Sequence, residues 1–232
     1  MKLVLSILLI LFSGFFVSAQ QWSFGAQLGG GFANMKLDDN VLSNQVTIQK
    51  GPVFITGSFG IQALLEESKD QQLRLWKPKP ALLLEASLCR CGGNIEAITT
   101  LPSGRLSFSE LNYVQYQGNF RALGMISLKN IRILLGPNFS YNFYNGVYVS
   151  GNETPQPADN QFKTYALGYE AGLGLGNDIV MLSMRYRGYF TDYGLESSLF
   201  PTVFRNNQIR LVFSYNFINK NLEKNRGSVF GL

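Results

Sequence analysis

The sequence predicts an all-β fold: an eight-stranded, antiparallel, up-and-down transmembrane β-barrel. Three observations point there. Eight segments alternate apolar and polar residues with a period of two, as strands with one greasy and one polar face do. The connections between them alternate long and short, as they do when tight turns gather at one end of a membrane barrel and loops at the other. Charge is also sparse. Of 232 residues, 15% are Asp, Glu, Lys or Arg, against roughly 25% in soluble domains. Aromatic residues reach 13% and glycines number 24, which suits many turns and anchored, half-apolar strands.

The ends read as processing and tail segments. Residues 1–19 carry a basic Lys2, an apolar run over 3–17 and the small residues Val17-Ser18-Ala19 before Gln20, the pattern of a secretory signal peptide. The run is short for a membrane anchor. No later stretch is long and apolar enough for a membrane helix. A mature chain held in a membrane must then cross it as a closed barrel, because lipid cannot satisfy open strand edges. The barrel is expected over 20–217, followed by a polar C-terminal tail, 218–232.

The strands follow in order. The first spans 22–32, with Trp22, Phe24, Ala26, Leu28 and Phe32 facing away from Ser23, Gln27 and a set of glycines. A long connection over 34–51 leads to the second, 53–65, where Val53, Ile55, Phe59 and Ile61 oppose Thr56, Ser58 and Gln62. After a charged turn at 66–70, the third strand is irregular at Lys77-Pro78-Lys79-Pro80, a bulge or a late start. It then sets Leu82, Leu84 and Leu88 against Leu83, Glu85 and Cys89. Gly92-Gly93 opens a second long connection, to about Ser109. The fourth strand, 111–126, turns Gln115, Gln117, Asn119 and Arg121 to one side. Lys129-Asn130 is a tight turn into the fifth, 131–143. A third long loop over 145–161 precedes the sixth strand, 164–175. Asn177-Asp178 signals a two-residue hairpin into the seventh, 180–190, and a fourth long loop over 192–206 reaches the last strand, 207–217.

A soluble barrel would reverse the faces and make its polar face dense in Lys and Glu. Here that face is mostly Gly, Ser, Asn and Gln, which favours a polar lumen inside an apolar wall. Phe-Ser-Tyr-Asn-Phe occurs at both 139–143 and 213–217. The first ends an ascending strand and the second a descending one. Trp22, Phe24, Tyr141, Phe143, Tyr215 and Phe217 are therefore assigned to aromatic girdles at two membrane interfaces.

The expected lumen carries Arg121, Arg132, Arg185, Arg187 and Arg210 with Glu85 and Glu170. A hairpin closed by Asn177-Asp178 would set Glu170 opposite Arg185, and Arg210 would lie beside Arg187. An eight-stranded barrel has an interior that side chains fill, and buried charges there must be paired or hydrogen-bonded. The expectation is a structural ion network plugging the lumen, with any arginine surplus met by Glu66, by Asp38 or Asp39, or by water. The alternative is a narrow channel or a binder of small anions and ligands that uses the lumenal arginines.

Other chemistries lack their residues. The chain has no His and no G-x-S-x-G elbow, so no catalytic residue is assigned and an enzyme is not expected. Gly29-Gly30-Gly31 sits inside a strand without the Gly-Lys-Ser/Thr of a phosphate loop. Cys89 and Cys91 share a strand face but form neither the redox spacing nor a full ligand set; they read as small lumenal residues, and neither metal nor cofactor is expected. No Lys/Arg cluster supports nucleic-acid binding.

Several segments resemble the PorT-like outer-membrane β-barrel proteins: Ser18-Ala19-Gln20, Trp22-Ser23-Phe24-Gly25, Leu82-Leu83-Leu84-Glu85, Leu135-Gly136-Pro137, Gly172-Leu173-Gly174 and the strand over 211–217. The resemblance covers essentially the whole mature chain. It implies an eight-stranded barrel in the outer membrane of a Gram-negative bacterium, and the alternation of long and short connections sets both mature termini on the periplasmic side. The family's named member is tied to secretion of proteins across that membrane, while most relatives have no assigned task; the plugged lumen and long loops themselves point to a structural or interaction role. The expected partners are outer-membrane lipid, the barrel-insertion machinery and a protein reached through long loops or the tail. One departure is that such barrels commonly end on the aromatic of the last strand, whereas here a tail follows Phe217. It reads as a mobile periplasmic extension rather than a docking peptide ending in Phe230 and Leu232.

Overall fold

Period-two segments close into a ring only if each finds a neighbour on both sides, and here each does. The computed structural model describes residues 20–37, 46–50, 53–67, 78–149, 156–157, 163–191 and 204–219. Among them the strands are β1 (Gln20–Leu37), β2 (Val46–Lys50), β3 (Phe54–Glu67), β4 (Lys79–Thr100), β5 (Leu106–Leu128), β6 (Ile131–Val149), β7 (Gln156–Pro157), β8 (Tyr165–Gly176), β9 (Val180–Tyr189) and β10 (Phe204–Asn219). The ring runs β1-β3-β4-β5-β6-β8-β9-β10 and returns to β1, antiparallel at each step. It is an eight-stranded up-and-down barrel with no open edge in the ring, which removes the unpaired amides and carbonyls that make sheet edges a liability.

The two faces sort by solvent. Leu28, Ile55, Ile61, Leu175 and Phe190 point outward and are at least 64% exposed. Arg185, Arg187, Arg210 and Glu170 point inward and are at most 1% exposed. An apolar exterior round the whole wall is stable only where the surroundings are themselves apolar. The barrel is thus inside out relative to a soluble one, as the alternation implied.

One end of the barrel is tight. Leu128 pairs with Ile131 across Lys129-Asn130, and Lys129 takes the left-handed φ of 57° that this turn needs. The β8–β9 turn differs from its expected form. Asn177 pairs with Val180 (N–H to O, 2.8 Å), and the Asn177 Oδ1 accepts the amides of Ile179 and Val180 at 2.9 Å each. The side-chain cap moves the reversal to Asp178-Ile179 and shifts the register of the hairpin by two residues.

The other end extends far past the ring. A transmembrane strand needs about 9–11 residues, and β9 has 10 where β4 and β5 have 22 and 23. The expected long connection at 92–109 is instead paired strand, from Gly92↔Val114 to Thr100↔Leu106, and reverses at Leu101–Arg105. Gly92-Gly93 is not a loop opener. A Cβ on Gly92 would collide with the Tyr113 carbonyl oxygen, so glycine allows the strands to approach closely. β2, inside the expected loop over 34–51, pairs with Ile95–Thr99 of β4 where β3 has ended. β6 continues to Val149 into the expected loop over 145–161, and β7 pairs with Gly146 and Val147. The result is an arm, β2-β4-β5-β6-β7, standing on the barrel rim.

β4 starts late, at Lys79, as one reading of the prolines expected, and β10 runs to Asn219, two residues past Phe217. The expected signal peptide over 1–19, the tail beyond Asn219 with Phe230 and Leu232, and Asp38 and Asp39 lie outside the described residues.

Candidate functional site

The site is the barrel's interior, and period-two placement alone decides what reaches it. Cross-strand pairs Glu85↔Arg121 and Glu170↔Arg187 set opposite charges side by side on inward positions. The expected partner of Glu170 was Arg185. The two-residue shift of the β8–β9 register corrects that, placing Arg185 opposite Gly172 and beside Arg210. Arg185 still reaches the network because Gly172 leaves its volume empty; a Cβ there would lie 2.9 Å from Arg185 Cγ.

Two carboxylates hold four guanidiniums. Glu85 accepts from Arg121 Nη1 at 3.1 Å and from Arg185 Nη1 at 2.8 Å. Glu170 meets Arg121 Nε at 2.9 Å, Arg185 Nη1 at 3.3 Å, Arg187 Nε at 3.2 Å and Arg210 Nη2 at 2.7 Å. Arg210 Nη2 spans both Glu170 oxygens, at 2.7 and 2.8 Å. Neutral neighbours add to the shell. Ser87 accepts from Arg121 Nη2 at 3.0 Å, Ser183 from Arg185 Nε at 2.8 Å, and Asn119 from Arg187 Nη1 at 3.1 Å. Asn119 is tied through Ser140 Oγ (2.7 Å) to Tyr189 OH at 3.1 Å. These Ser, Asn and Tyr residues were not singled out in the sequence, although their inward parity was the available signal.

Arg132 does not join this network. It lies at the tight-turn end, where Nη2 binds Asp178 Oδ1 at 2.7 Å and Nη1 faces Met125 Sδ at 3.9 Å. Nearby, Asn216 bonds the Asp178 carbonyl and accepts from Gln62 Nε2, both at 2.7 Å, latching β10 and β3 to the turn.

Apolar clusters lie on both sides of the charges, the larger at the tight-turn end. Leu64, Ala81, Leu83, Leu123, Met125, Leu134 and Met181 fill the tight-turn end. The space bounded by Gln62, Leu64, Leu83, Met125, Arg132, Met181, Ser214 and Asn216 leaves no volume for a water. At the arm end Ala33, Phe54 and Val114 pack with Tyr148. The expected plug was the ion network alone, and the leucine and methionine layer beneath it is an addition. Cys89 and Cys91 are buried on the lumenal side of β4 beside this polar interior.

The outward aromatics fall at two levels. Trp22 stacks on Phe24 with centroids 6.2 Å apart, and they lie at the tight-turn end with Tyr215 and Phe217 of the neighbouring β10. Tyr141 and Phe143 lie on the arm side with Tyr116 and Tyr144, which are 5.6 Å apart. The wall also carries an apolar groove of about 660 Å³, floored by Ala63, Ala86, Ala122 and Pro137.

No family model and no curated protein matches the chain. Three solved structures are similar to it. The crystal structure of Neisserial surface protein A is 13% identical, with 84% of this chain and 99% of that chain covered and a TM-score of 0.46. Ail, the attachment invasion locus protein of Yersinia pestis, in complex with the heparin analogue sucrose octasulfate, is 12% identical, with coverage of 86% and 100% and a TM-score of 0.41. The translocator domain of the autotransporter NalP from Neisseria meningitidis is 11% identical, with coverage of 93% and 95% and a TM-score of 0.25.

Proposed function

We propose that the chain is a non-enzymatic integral outer-membrane protein whose sealed barrel anchors an external β-sheet arm for a protein partner. The observation that carries this is the stoppered lumen, with buried ion pairs at its centre and no room for a water at its tight-turn end. A filled barrel does not conduct, so the work falls to what the barrel presents. The tight turns and both mature termini belong on the periplasmic side, in keeping with the turn and loop asymmetry of bacterial barrels, and the arm on the outside. Trp22, Phe24, Tyr215 and Phe217 would then sit at the periplasmic interface and Tyr141 and Phe143 at the outer one. Lipid would be the constant partner of the wall, with the insertion machinery as its transient one.

The arm supports a protein partner because it is long, paired and extends past the membrane span. Strands that end a sheet can accept a further strand, and β2 and β7 end this one among the described residues. A link to protein secretion rests on the PorT-like resemblance alone. The test has two arms. In planar bilayers the purified protein should give no single-channel steps; steady, anion-selective conductance would refute the sealed reading. Replacing residues 95–111 by a two-residue turn should leave a heat-modifiable, membrane-inserted barrel and abolish cross-linking of its outer-membrane partner. Cross-linking that survives would refute the role of the arm.

A further inference from the structure

The interior carries more positive charge than it returns. Arg121, Arg185, Arg187 and Arg210 against Glu85 and Glu170 is four positive charges against two negative, a surplus of two. All six side chains are at most 1% exposed. A buried charge without a counter-charge is among the costliest arrangements a fold can hold. Other acids of the described residues do not supply one. Asp178 binds Arg132, Glu66 pairs with Ala81 at the tight-turn end beyond Leu64 of the stopper, and Glu96 and Glu110 are exposed on the arm.

The donors are available as well as the charge. Arg185 Nη2, Arg187 Nη2 and Arg210 Nε are buried nitrogens with no hydrogen-bond partner in the protein. They belong to three residues of the adjacent strands β9 and β10, where Arg185 pairs directly with Arg210 and Arg187 with Gln208. Toward the arm the inward neighbours are Asn119, Tyr189, Gln208, Cys89 and Cys91, none of them a carboxylate. The surplus therefore sits on one side of the network, away from the leucine stopper.

We propose that Arg185, Arg187 and Arg210 hold a resident divalent oxyanion, of the sulfate or hydrogenphosphate class. A tetrahedral oxyanion presents several acceptors to planar guanidinium forks, and one divalent ion cancels the surplus in a single binding event. Because the tight-turn end is closed to water, the ion enters from the arm end or is enclosed as the barrel folds. The site requires only the folded barrel, so it stands or falls separately from the arm and its partner.

Ion chromatography tests this directly. The full chain is extracted in detergent, exchanged into buffer with gluconate as its anion, denatured, and assayed for released sulfate and phosphate. Wild type should release about one equivalent per barrel, the number its surplus demands. Its unfolding midpoint should rise with sulfate above the rise in chloride at equal ionic strength. The Arg187→Gln/Arg210→Gln variant has no surplus and keeps Glu85 and Glu170 matched to Arg121 and Arg185; it should lose both effects beyond the general salting-out response. A wild-type barrel that releases no oxyanion overturns the proposal, as does equal retention by the double variant. So does a Cys89→Ser barrel that gains an ion absent from wild type, because Cys89 would then be the counter-charge as a thiolate.

Discussion

Glu170→Gln is the most informative single change, because the residue holds the network together. Its carboxylate lies within 3.3 Å of nitrogen atoms from four arginines, and its side chain is 1% exposed. The amide keeps the shape and one acceptor but removes the charge, raising the local excess from two to three. Removing one partner of a buried ion pair leaves an uncompensated charge and costs about 3–5 kcal/mol. At about 2–4 °C per kcal/mol for a chain of this size, the midpoint should fall by roughly 6–20 °C. The assay is loss of the heat-modifiable folded band in detergent, read against temperature and against urea. Glu96→Gln, on the exposed arm, is the control and should stay within about 0.5 kcal/mol of wild type. If Glu170→Gln also stays within that range, the network contributes nothing to stability and the reasoning fails.

Three further outcomes follow from the same geometry. Gly172→Val should cost about 1–3 kcal/mol, because the new Cβ would meet both Arg185 Cγ and the Met184 carbonyl at 2.9 Å, whereas Gly57→Ala, with nothing within 4 Å, should be silent in the same urea titration. Arg132→Gln should cost about 1 kcal/mol, since it breaks the pair with Asp178, whose side chain is 32% exposed, and a weak contact with Met125 Sδ; a loss equal to that of Glu170→Gln would put Arg132 back in the central network. Met125→Ala should cost about 2–5 kcal/mol, because Met125 is 1% exposed within the tight-turn layer; a loss under about 0.5 kcal/mol in the same urea titration would mean that the layer is not packed.

Which residues enter the lumen was legible because strand parity is robust. A two-residue shift in the β8–β9 hairpin changed the partner of Glu170 from Arg185 to Arg187 without moving either arginine to the other face. The partner itself was not legible, since it depends on where Asn177 caps the turn, and capping is decided by side-chain geometry rather than pattern. The arm was misread for a different reason. Gly92-Gly93, Asn94, Pro102 and Gly104 have loop composition, and outside lipid a strand need not be greasy on either face. The stopper left a trace that parity could have used. Leu64-Leu65, Leu82-Leu83-Leu84 and Leu134-Leu135 are apolar on both faces at once, and Leu64, Leu83 and Leu134, each 1% exposed, all belong to the tight-turn cluster. Arg132 was grouped with the other arginines because parity fixes a face and says nothing about height along the barrel.

Net charge, rather than the number of bridges, should govern how this interior tolerates change, and one comparison separates the two. Glu85→Leu with Arg121→Leu removes a directly facing pair. It abolishes the contacts Arg121–Glu85, Arg121–Glu170 and Arg185–Glu85. Yet Glu170 still faces Arg185, Arg187 and Arg210, so the excess stays at two. Replacing a buried ion pair by well-packed apolar groups is often neutral or stabilising, and Leu83 and Leu123 of the stopper lie two residues away on the same inward faces to receive the new side chains. The double variant should therefore lie within about 1–2 kcal/mol of wild type, well short of the loss from Glu170→Gln, which leaves every arginine in place and changes the charge by one. Equal losses would mean that contacts are additive and the surplus is inert. A much smaller loss for the double variant would mean that the barrel is held by its balance of charge, with the stopper already supplying the apolar packing into which a neutral pair can be absorbed.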